Sequence, residues 1–131
     1  MPAHIMVAIV EDDASARAAL VSLVGAFGYA ASGFADADSF LASGAAHQAD
    51  CLITDVRLPG LGGLALYRRL PRGRALPTIV VTGFPDEASR AWALRAGIVA
   101  YLAKPVEPER LLACLRTAIA GRGGTLPSGP V

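Results

Sequence analysis

Hydrophobic residues are concentrated in five short runs, and longer segments with a helical repeat of apolar positions separate these runs. The runs are Ile5–Val10, Tyr29–Phe34, Cys51–Val56, Thr78–Thr82 and Val99–Ala103. Short apolar runs of this kind are typical of buried strands, whereas apolar positions three and four residues apart indicate helices. The segments with the helical repeat are Asp13–Phe27, Ala37–Ala42, Gly63–Leu70, Asp86–Ala96 and Pro108–Ala120. The pattern therefore predicts five strands that alternate with five helices.

Residues at the segment ends support these helices. Asp36 precedes the second helix as a candidate N-cap, and Gly97 follows the fourth as a C-terminal signal. Asp13 has two interpretations, an N-cap of the first helix or a further acid of a functional site, and we favour the cap. In the fourth helix the apolar arc predicts that Ala91, Leu94 and the stem of Glu87 face the sheet, with Trp92 on the flank. Trp92 is there either part of an exposed interface patch or a partly exposed core residue that folds over its own helix.

Alternating strands and helices favour an α/β fold in which right-handed crossovers join parallel strands. Runs such as IMVAIV and TIVVT are apolar at nearly every position. A strand of that kind is buried on both faces, so helices are expected to cover both faces of the sheet. This is a doubly wound sheet.

Composition fits one domain. The chain has 131 residues, of which 53% are hydrophobic and 18% are charged, enough apolar surface for a core. We predict that residues 1–121 form this domain and that 122–131, rich in Gly and Pro, are a flexible tail or a truncated linker.

The net charge and the two cysteines indicate the cellular compartment and the classes of partner to expect. The net charge is +1, which does not point to direct nucleic-acid binding or to a membrane surface as the main partner. Cys51 and Cys114 both lie in apolar patterns, as expected of buried thiols in a reducing cytosol. No apolar run approaches the roughly 20 residues that span a bilayer. We therefore expect a cytoplasmic location.

Polar residues follow the ends of four predicted strands. They are Glu11, Asp12 and Asp13 after the first strand, Asp55 at the end of the third, Thr82 and Gly83 at the fourth, and Lys104 at the fifth. Ligands of open parallel sheets bind beyond the carboxyl ends of the strands, where these residues meet. Several carboxylates in one place repel one another unless a cation intervenes, and their hard oxygens suit Mg²⁺. A Lys, a hydroxyl and a loop amide beside them suit a phosphoryl group on Asp55.

The same segments carry a family resemblance over residues 4 to about 120. IVEDD, DVRLPGLGG, VVTG and AYLAKP occur in order and at family-like spacing. The chain resembles the receiver domains of bacterial two-component response regulators, and DVRLPG with VVTG is most similar to the FixJ-like branch. The resemblance implies a flavodoxin-like fold of five parallel strands in the order 2-1-3-4-5. The chemotaxis receiver is a standard example of this strand order.

The resemblance also implies a role for each residue of the site. Asp55 would be the phosphoacceptor, and Mg²⁺ would be held by Asp12, by Asp55, by Glu11 through water and by the backbone carbonyl of Arg57. The expected phosphoryl-binding residues are Thr82, Gly83 and Lys104. A cis bond between Lys104 and Pro105 is expected as well.

Tyr101 would be a switch residue that moves with Thr82, although a half-buried structural tyrosine is the competing interpretation. A sensor histidine kinase would donate the phosphoryl group. The face formed by the fourth helix, the fifth strand and the fifth helix would bind a second copy of the chain or an effector.

Two other functions remain open from the residues alone. One is a phosphatase with an Asp nucleophile, although Arg57 stands where such enzymes usually place a second acid. The other is a flavodoxin-like module that binds a nucleotide or flavin, although no evident phosphate loop is present. On the receiver interpretation the chain is a switch that assists its own phosphorylation and dephosphorylation.

Overall fold

The predicted strands and helices are present in the computed structural model, which describes residues 5–58, 60–70 and 76–122. The strands are β1 (Met6–Val10), β2 (Ala30–Phe34), β3 (Cys51–Asp55), β4 (Thr78–Thr82) and β5 (Ala100–Ala103). The helices are α1 (Ala14–Ala26), α2 (Ala37–Ser43), α3 (Gly63–Arg68), α4 (Glu87–Ala96) and α5 (Pro108–Arg122). A short 3-10 helix at Ala45–His47, which the sequence did not predict, follows α2.

The five strands form one parallel sheet in the order β2-β1-β3-β4-β5, as the resemblance implied. The direction of strand addition reverses between β1 and β3, which is the point at which sheets of this kind bind their ligands. The fold is therefore a doubly wound α/β sheet.

Alternation along the strands explains why both faces are buried. In β1, Val7 and Ile9 point to one face, and Ala8 and Val10 point to the other. The first face is covered by apolar residues of α1 and α5: Val24, Leu111, Leu115 and Ala118. The second face is covered by α2 and α3 through Ala37, Phe40 and Leu66, and by α4 through Ala93. Because successive strand residues alternate between two apolar layers, nearly every strand position is hydrophobic.

Three aspartates cap helices: Asp13 and Asp36, which the sequence suggested as caps, and Asp86, which it did not. The carboxylates of Asp13, Asp36 and Asp86 accept hydrogen bonds from the backbone N–H groups of Ala16, Ser39 and Ser89. Each bond satisfies an N–H group that has no partner within the first turn of its helix. The interpretation of Asp13 as an N-cap is confirmed.

The predicted inner face of α4 is wrong for Glu87 and Leu94, whereas Ala91 is half-buried. Glu87 is exposed and Leu94 is 41% exposed, whereas Ala93 is completely buried against the layer that contains Val80. Trp92 is half-buried and packs on the same layer. The helix is thus rotated relative to the predicted arc, and its buried side includes Trp92.

Three other expectations concern the cysteines, membrane spans and the tail. Cys51 is buried, and this burial raises the pKa of its thiol to about 12, whereas Cys114 is only partly buried. Among the described residues, no helix has both the length and the hydrophobicity required to cross a bilayer. Helix α5 is described to Arg122, and residues 123–131 of the predicted tail lie outside the described residues.

Candidate functional site

The register of the sheet brings the polar strand ends to one edge. Val10 of β1 is paired with Thr54 of β3, so the residues that follow them, Glu11 and Asp55, are neighbours. Asp55 is in turn level with Val81 of β4, the residue before Thr82. Thr82 pairs with Ala103 of β5, directly before Lys104. The sheet thus collects four predicted site residues within adjacent strands.

Asp55 lies at the centre of this edge and is 6% exposed. Its Oδ2 accepts a hydrogen bond of 2.7 Å from Lys104 Nζ, and its Oδ1 accepts one of 2.9 Å from the backbone N–H of Arg57. A nearly buried carboxylate requires partners of this kind because loss of water disfavours its charge. Asp55 is therefore held in a fixed orientation, not simply exposed in a loop.

Lys104 forms ion pairs with two carboxylates of the site. Its Nζ lies 2.7 Å from Glu11 Oε1 and 2.7 Å from Asp55 Oδ2. Partial burial lowers the pKa of Lys104, but hydrogen bonds to Asp55 and Glu11 and their charges outweigh this effect and raise its pKa. Lys104 is consequently a fixed positive charge at neutral pH. The Lys104–Pro105 bond is cis, as expected.

Three carboxylates converge at this point. One oxygen from each of Glu11, Asp12 and Asp55 lies within 4.8 Å of the others. Glu11 is buried, and its Oε2 accepts a hydrogen bond from the N–H of Asp13. Asp12 is exposed, and its carboxylate makes no hydrogen bond or ion pair within the described residues. The cluster therefore has one carboxylate that is open to solvent and two that are already engaged by Lys104.

Thr82 and Gly83 form the wall of the site on the β4 side. Thr82 is fully buried, and its Oγ1 accepts a hydrogen bond of 3.1 Å from the N–H of Phe84. The carbonyl oxygen of Thr82 accepts a hydrogen bond of 2.8 Å from the N–H of Lys104, which ties the ends of β4 and β5 together. A methyl group added at Gly83 would lie 4.0 Å from Lys104 Cδ, so Gly83 borders the lysine.

Tyr101 connects the sheet to the start of α4. It is 9% exposed and packs in the layer with Val80 and Ala93. Its hydroxyl accepts a hydrogen bond of 3.3 Å from the N–H of Asp86, the N-cap of α4. The Tyr101 side chain therefore has the contacts of a core tyrosine. It also contacts the start of α4, a helix of the face that the resemblance implies as the output surface. Both interpretations of Tyr101 fit this position.

Arg57 makes a contact that the sequence did not suggest. Its guanidinium carbon lies 4.5 Å from the centroid of the Phe84 ring, within the range of a cation–π interaction. The Phe84 side chain is 65% exposed. Arg57 and Phe84, each two residues after the end of its strand, thus stack on each other, and the backbone of Arg57 is bonded to Asp55.

Arg17 is a polar residue near the site that sequence analysis did not select. Its Nη1 donates a hydrogen bond of 2.9 Å to the carbonyl oxygen of Glu11. It is the only Lys or Arg between residues 11 and 56. The sequence could have indicated Arg17, because it is the one basic residue of an otherwise uncharged helix that follows an acidic turn.

Comparison with known proteins agrees with this geometry. Residues 7–116 match the family described as the response regulator receiver domain. The chain is 32% identical over 120 residues to the transcriptional regulatory protein FixJ of Azorhizobium caulinodans, a match that covers 91% of this chain and 57% of the relative. It is 34% identical over 112 residues to FixJ of Bradyrhizobium diazoefficiens, covering 85% of this chain and 55% of the relative.

A solved receiver domain from Clostridium thermocellum has the same fold. The TM-score is 0.84 at 21% identity, with 91% of this chain and 97% of that chain covered. The chain spans little more than half the length of the curated FixJ relatives it matches.

Proposed function

This chain belongs to the family of response regulator receiver domains, and we propose that Asp55 is the residue at which it accepts a phosphoryl group. The observation that carries this proposal is the contact of 2.7 Å between Lys104 Nζ and Asp55 Oδ2 at the carboxyl edge of the sheet. Receiver domains of this kind are phosphorylation switches in two-component systems. An ammonium group fixed beside a nearly buried carboxylate is suited to an acceptor whose product carries further negative charge.

The neighbouring residues are suited to hold that product. An oxygen of Asp55 would attack phosphorus, the bond from phosphorus to the donor would break, and the donor group would leave with the bonding electrons. Lys104 would pair with one phosphoryl oxygen, and the Thr82 hydroxyl and the Gly83 amide would donate hydrogen bonds to others. Because these groups lie at the ends of adjacent strands, they need little reorganisation when the charge arrives.

We propose that the acidic cluster holds Mg²⁺. Three carboxylates and the single ammonium of Lys104 leave a formal charge of −2, and all of the available side-chain ligands are hard oxygens. The proposed ligands are Asp12, Asp55, the backbone carbonyl of Arg57, and Glu11 through water. When bound, the ion would neutralise charge on the incoming phosphoryl group.

Asp12→Asn is expected to weaken Mg²⁺ binding by about tenfold or more, since even indirect partners of metal ligands contribute tenfold or more to affinity. Asp12 is the informative position because its exposed carboxylate has no other partner within the described residues. Mg²⁺ titration followed by the NMR signals of the β1–α1 turn measures the change. Asp13→Asn is the matched control, since an asparagine still caps α1. Equal affinity in wild type and Asp12→Asn would refute the metal assignment.

The partners of the domain are also proposals. We propose that a sensor histidine kinase supplies the phosphoryl group. We further propose that phosphorylation shifts Thr82 and Tyr101 between two existing arrangements, and that the α4–β5–α5 face presents the result to a second copy or an effector. A groove of about 500 Å³ that includes Arg90, Tyr101 and Arg110 lies on this face.

Self-association through that face is expected to increase when the phosphorylated state is mimicked. Sedimentation of the chain with Mg²⁺, with and without beryllofluoride, measures the monomer fraction in each state. Wild type without beryllofluoride is the baseline, and Asp55→Asn with it controls for effects of the reagent elsewhere. The same monomer fraction in both states of a chain that binds the mimic would reject the homodimer and leave an effector as the partner.

The family match does not favour the two alternatives that the residues had left open. Arg57, two residues after Asp55, donates its N–H to the Asp55 carboxylate and stacks its guanidinium on Phe84, so it supplies no acid for a phosphatase. We propose that the chain acts as a switch that assists its own phosphorylation and dephosphorylation, not as a turnover enzyme.

A further inference from the structure

Arg17 folds back from α1 onto the turn that carries the acids. It lies one helical turn after Asp13, and its side chain is half-buried. Its Nη1 donates to the carbonyl oxygen of Glu11 at 2.9 Å and approaches the carbonyl oxygen of Asp12 at 3.5 Å. Arg17 thus contacts the backbone of both acidic residues that β1 supplies to the site.

Gly33 provides the space for this conformation. A methyl group on Gly33 would lie 3.0 Å from Arg17 Cγ and 3.2 Å from Arg17 Cδ. It would also lie 3.2 Å from Val21 Cγ2. The stem of Arg17 therefore crosses β2 at the one residue of that strand that has no side chain. A side chain at position 33 would therefore push the stem of Arg17 outward by at least a few tenths of an ångström.

Hydrogen bonds hold the backbone of Glu11 on both sides of its Cα atom. Its N–H donates a hydrogen bond of 3.0 Å to the carbonyl oxygen of Phe34, and its carbonyl oxygen accepts the bond from Arg17. Holding these two peptide groups limits the positions that the carboxylate of Asp12, the next residue, can reach. Asp12 has no side-chain partner within the described residues, so its orientation depends on the backbone that carries it.

We propose that Arg17 is a positioning residue for the cation site, which it serves by fixing the backbone of Glu11 and Asp12 and not by touching the ion. This inference rests on the proposed function, because it takes the acidic cluster to be the Mg²⁺ site. Groups that orient metal ligands without binding the metal contribute strongly to metal affinity, because a mobile ligand must lose conformational freedom when the ion binds.

An effect of the Arg17 charge and an effect of its hydrogen bonds predict opposite changes in Mg²⁺ affinity. If Arg17 acted only through its positive charge, removing that charge would make the cluster more negative and would tighten Mg²⁺ binding. If Arg17 acts by positioning, removing its hydrogen bonds loosens the turn and weakens binding. The sign of the change therefore separates the two roles.

The test is a Mg²⁺ titration of the full chain and its variants, followed by NMR signals of the β1–α1 turn. Arg17→Met, which keeps an unbranched side chain but no donor, is expected to weaken binding by about tenfold. Gly33→Ala is expected to shift affinity in the same direction, because the added methyl group displaces Arg17. Arg17→Lys, which keeps the charge and an N–H donor, is expected to recover part of the affinity.

Arg68→Met is the matched control, because it removes the same charge from an exposed position at the end of α3. Its affinity should equal that of wild type, and urea unfolding of every variant checks that the fold is retained. Binding by Arg17→Met as tight as wild type, or tighter, would overturn the positioning role while leaving the Mg²⁺ site intact. Failure of the wild-type chain itself to bind Mg²⁺ would instead overturn the proposed function.

Discussion

Asp55→Asn is expected to abolish incorporation of phosphoryl label from a small acyl-phosphate donor such as acetyl phosphate. An amide is a far weaker nucleophile than a carboxylate, so the attack on phosphorus no longer occurs. The substitution retains an oxygen that can accept the hydrogen bond from the N–H of Arg57. It therefore removes the reactive group with little change of shape, and the loss of label should be complete, not partial.

Asp50→Asn is the matched control for this experiment. Asp50 directly precedes β3, at the opposite end of the strand from Asp55, and accepts a hydrogen bond of 2.9 Å from the N–H of Met6. An asparagine there can still accept that bond, and its label should equal that of wild type. Acid-stable, hydroxylamine-sensitive label in wild type identifies an acyl phosphate. Label at the wild-type level in Asp55→Asn would refute the assignment of the phosphoacceptor.

Most of the site could be predicted because the residues in it sit at strand ends. Once Glu11, Asp55 and Thr82 are placed at the carboxyl ends of adjacent parallel strands, these residues must meet at one edge of the sheet. Hydrophobic runs mark those strand ends in the sequence. The order of the strands is a different matter, since it came from the family resemblance and not from the apolar pattern.

The orientation of α4 shows where the pattern fails. Six of its ten residues are Ala, Leu or Trp, and they are distributed around most of the helix. Such a helix has no single apolar stripe, so the repeat does not determine which side is buried. Contacts with neighbouring elements decide instead. Among them, the Tyr67 hydroxyl donates a hydrogen bond of 3.1 Å to the carbonyl oxygen of Ala96.

The hydrophobic pattern of the sequence also does not predict the side-chain contacts within the site. The sharing of Lys104 between Glu11 and Asp55, and the contact between Arg57 and Phe84, depend on side-chain conformations after the fold has formed. These residues are distant in sequence, and no local repeat relates them. Sequence analysis can therefore place a residue at the edge of the sheet but does not reveal its partner.

The same substitution, glycine to alanine, is expected to have opposite effects at Gly63 and Gly25. A methyl group at Gly63 would lie 2.0 Å from the carbonyl oxygen of Asp55 and 2.9 Å from its carbonyl carbon. Both contacts are with backbone, which cannot rotate away, so α3 would have to move off the end of β3. We expect Gly63→Ala to lower the free energy of unfolding by about 3 kcal/mol, the upper end of the usual cost of overpacking.

Gly25 provides the comparison because it lies in α1, and beyond its own helical turn no atom lies within 4 Å of an added methyl group. Alanine restricts the unfolded chain and favours the helix, so Gly25→Ala should raise the free energy of unfolding by about 0.5 kcal/mol. Urea unfolding of the two variants measures both signs. Because the displaced α3 abuts the backbone of Asp55 itself, Gly63→Ala should also reduce phosphoryl labelling in the fraction that remains folded. A Gly63→Ala chain as stable as wild type would show that α3 can shift freely, and the close approach would then not be a constraint on the site.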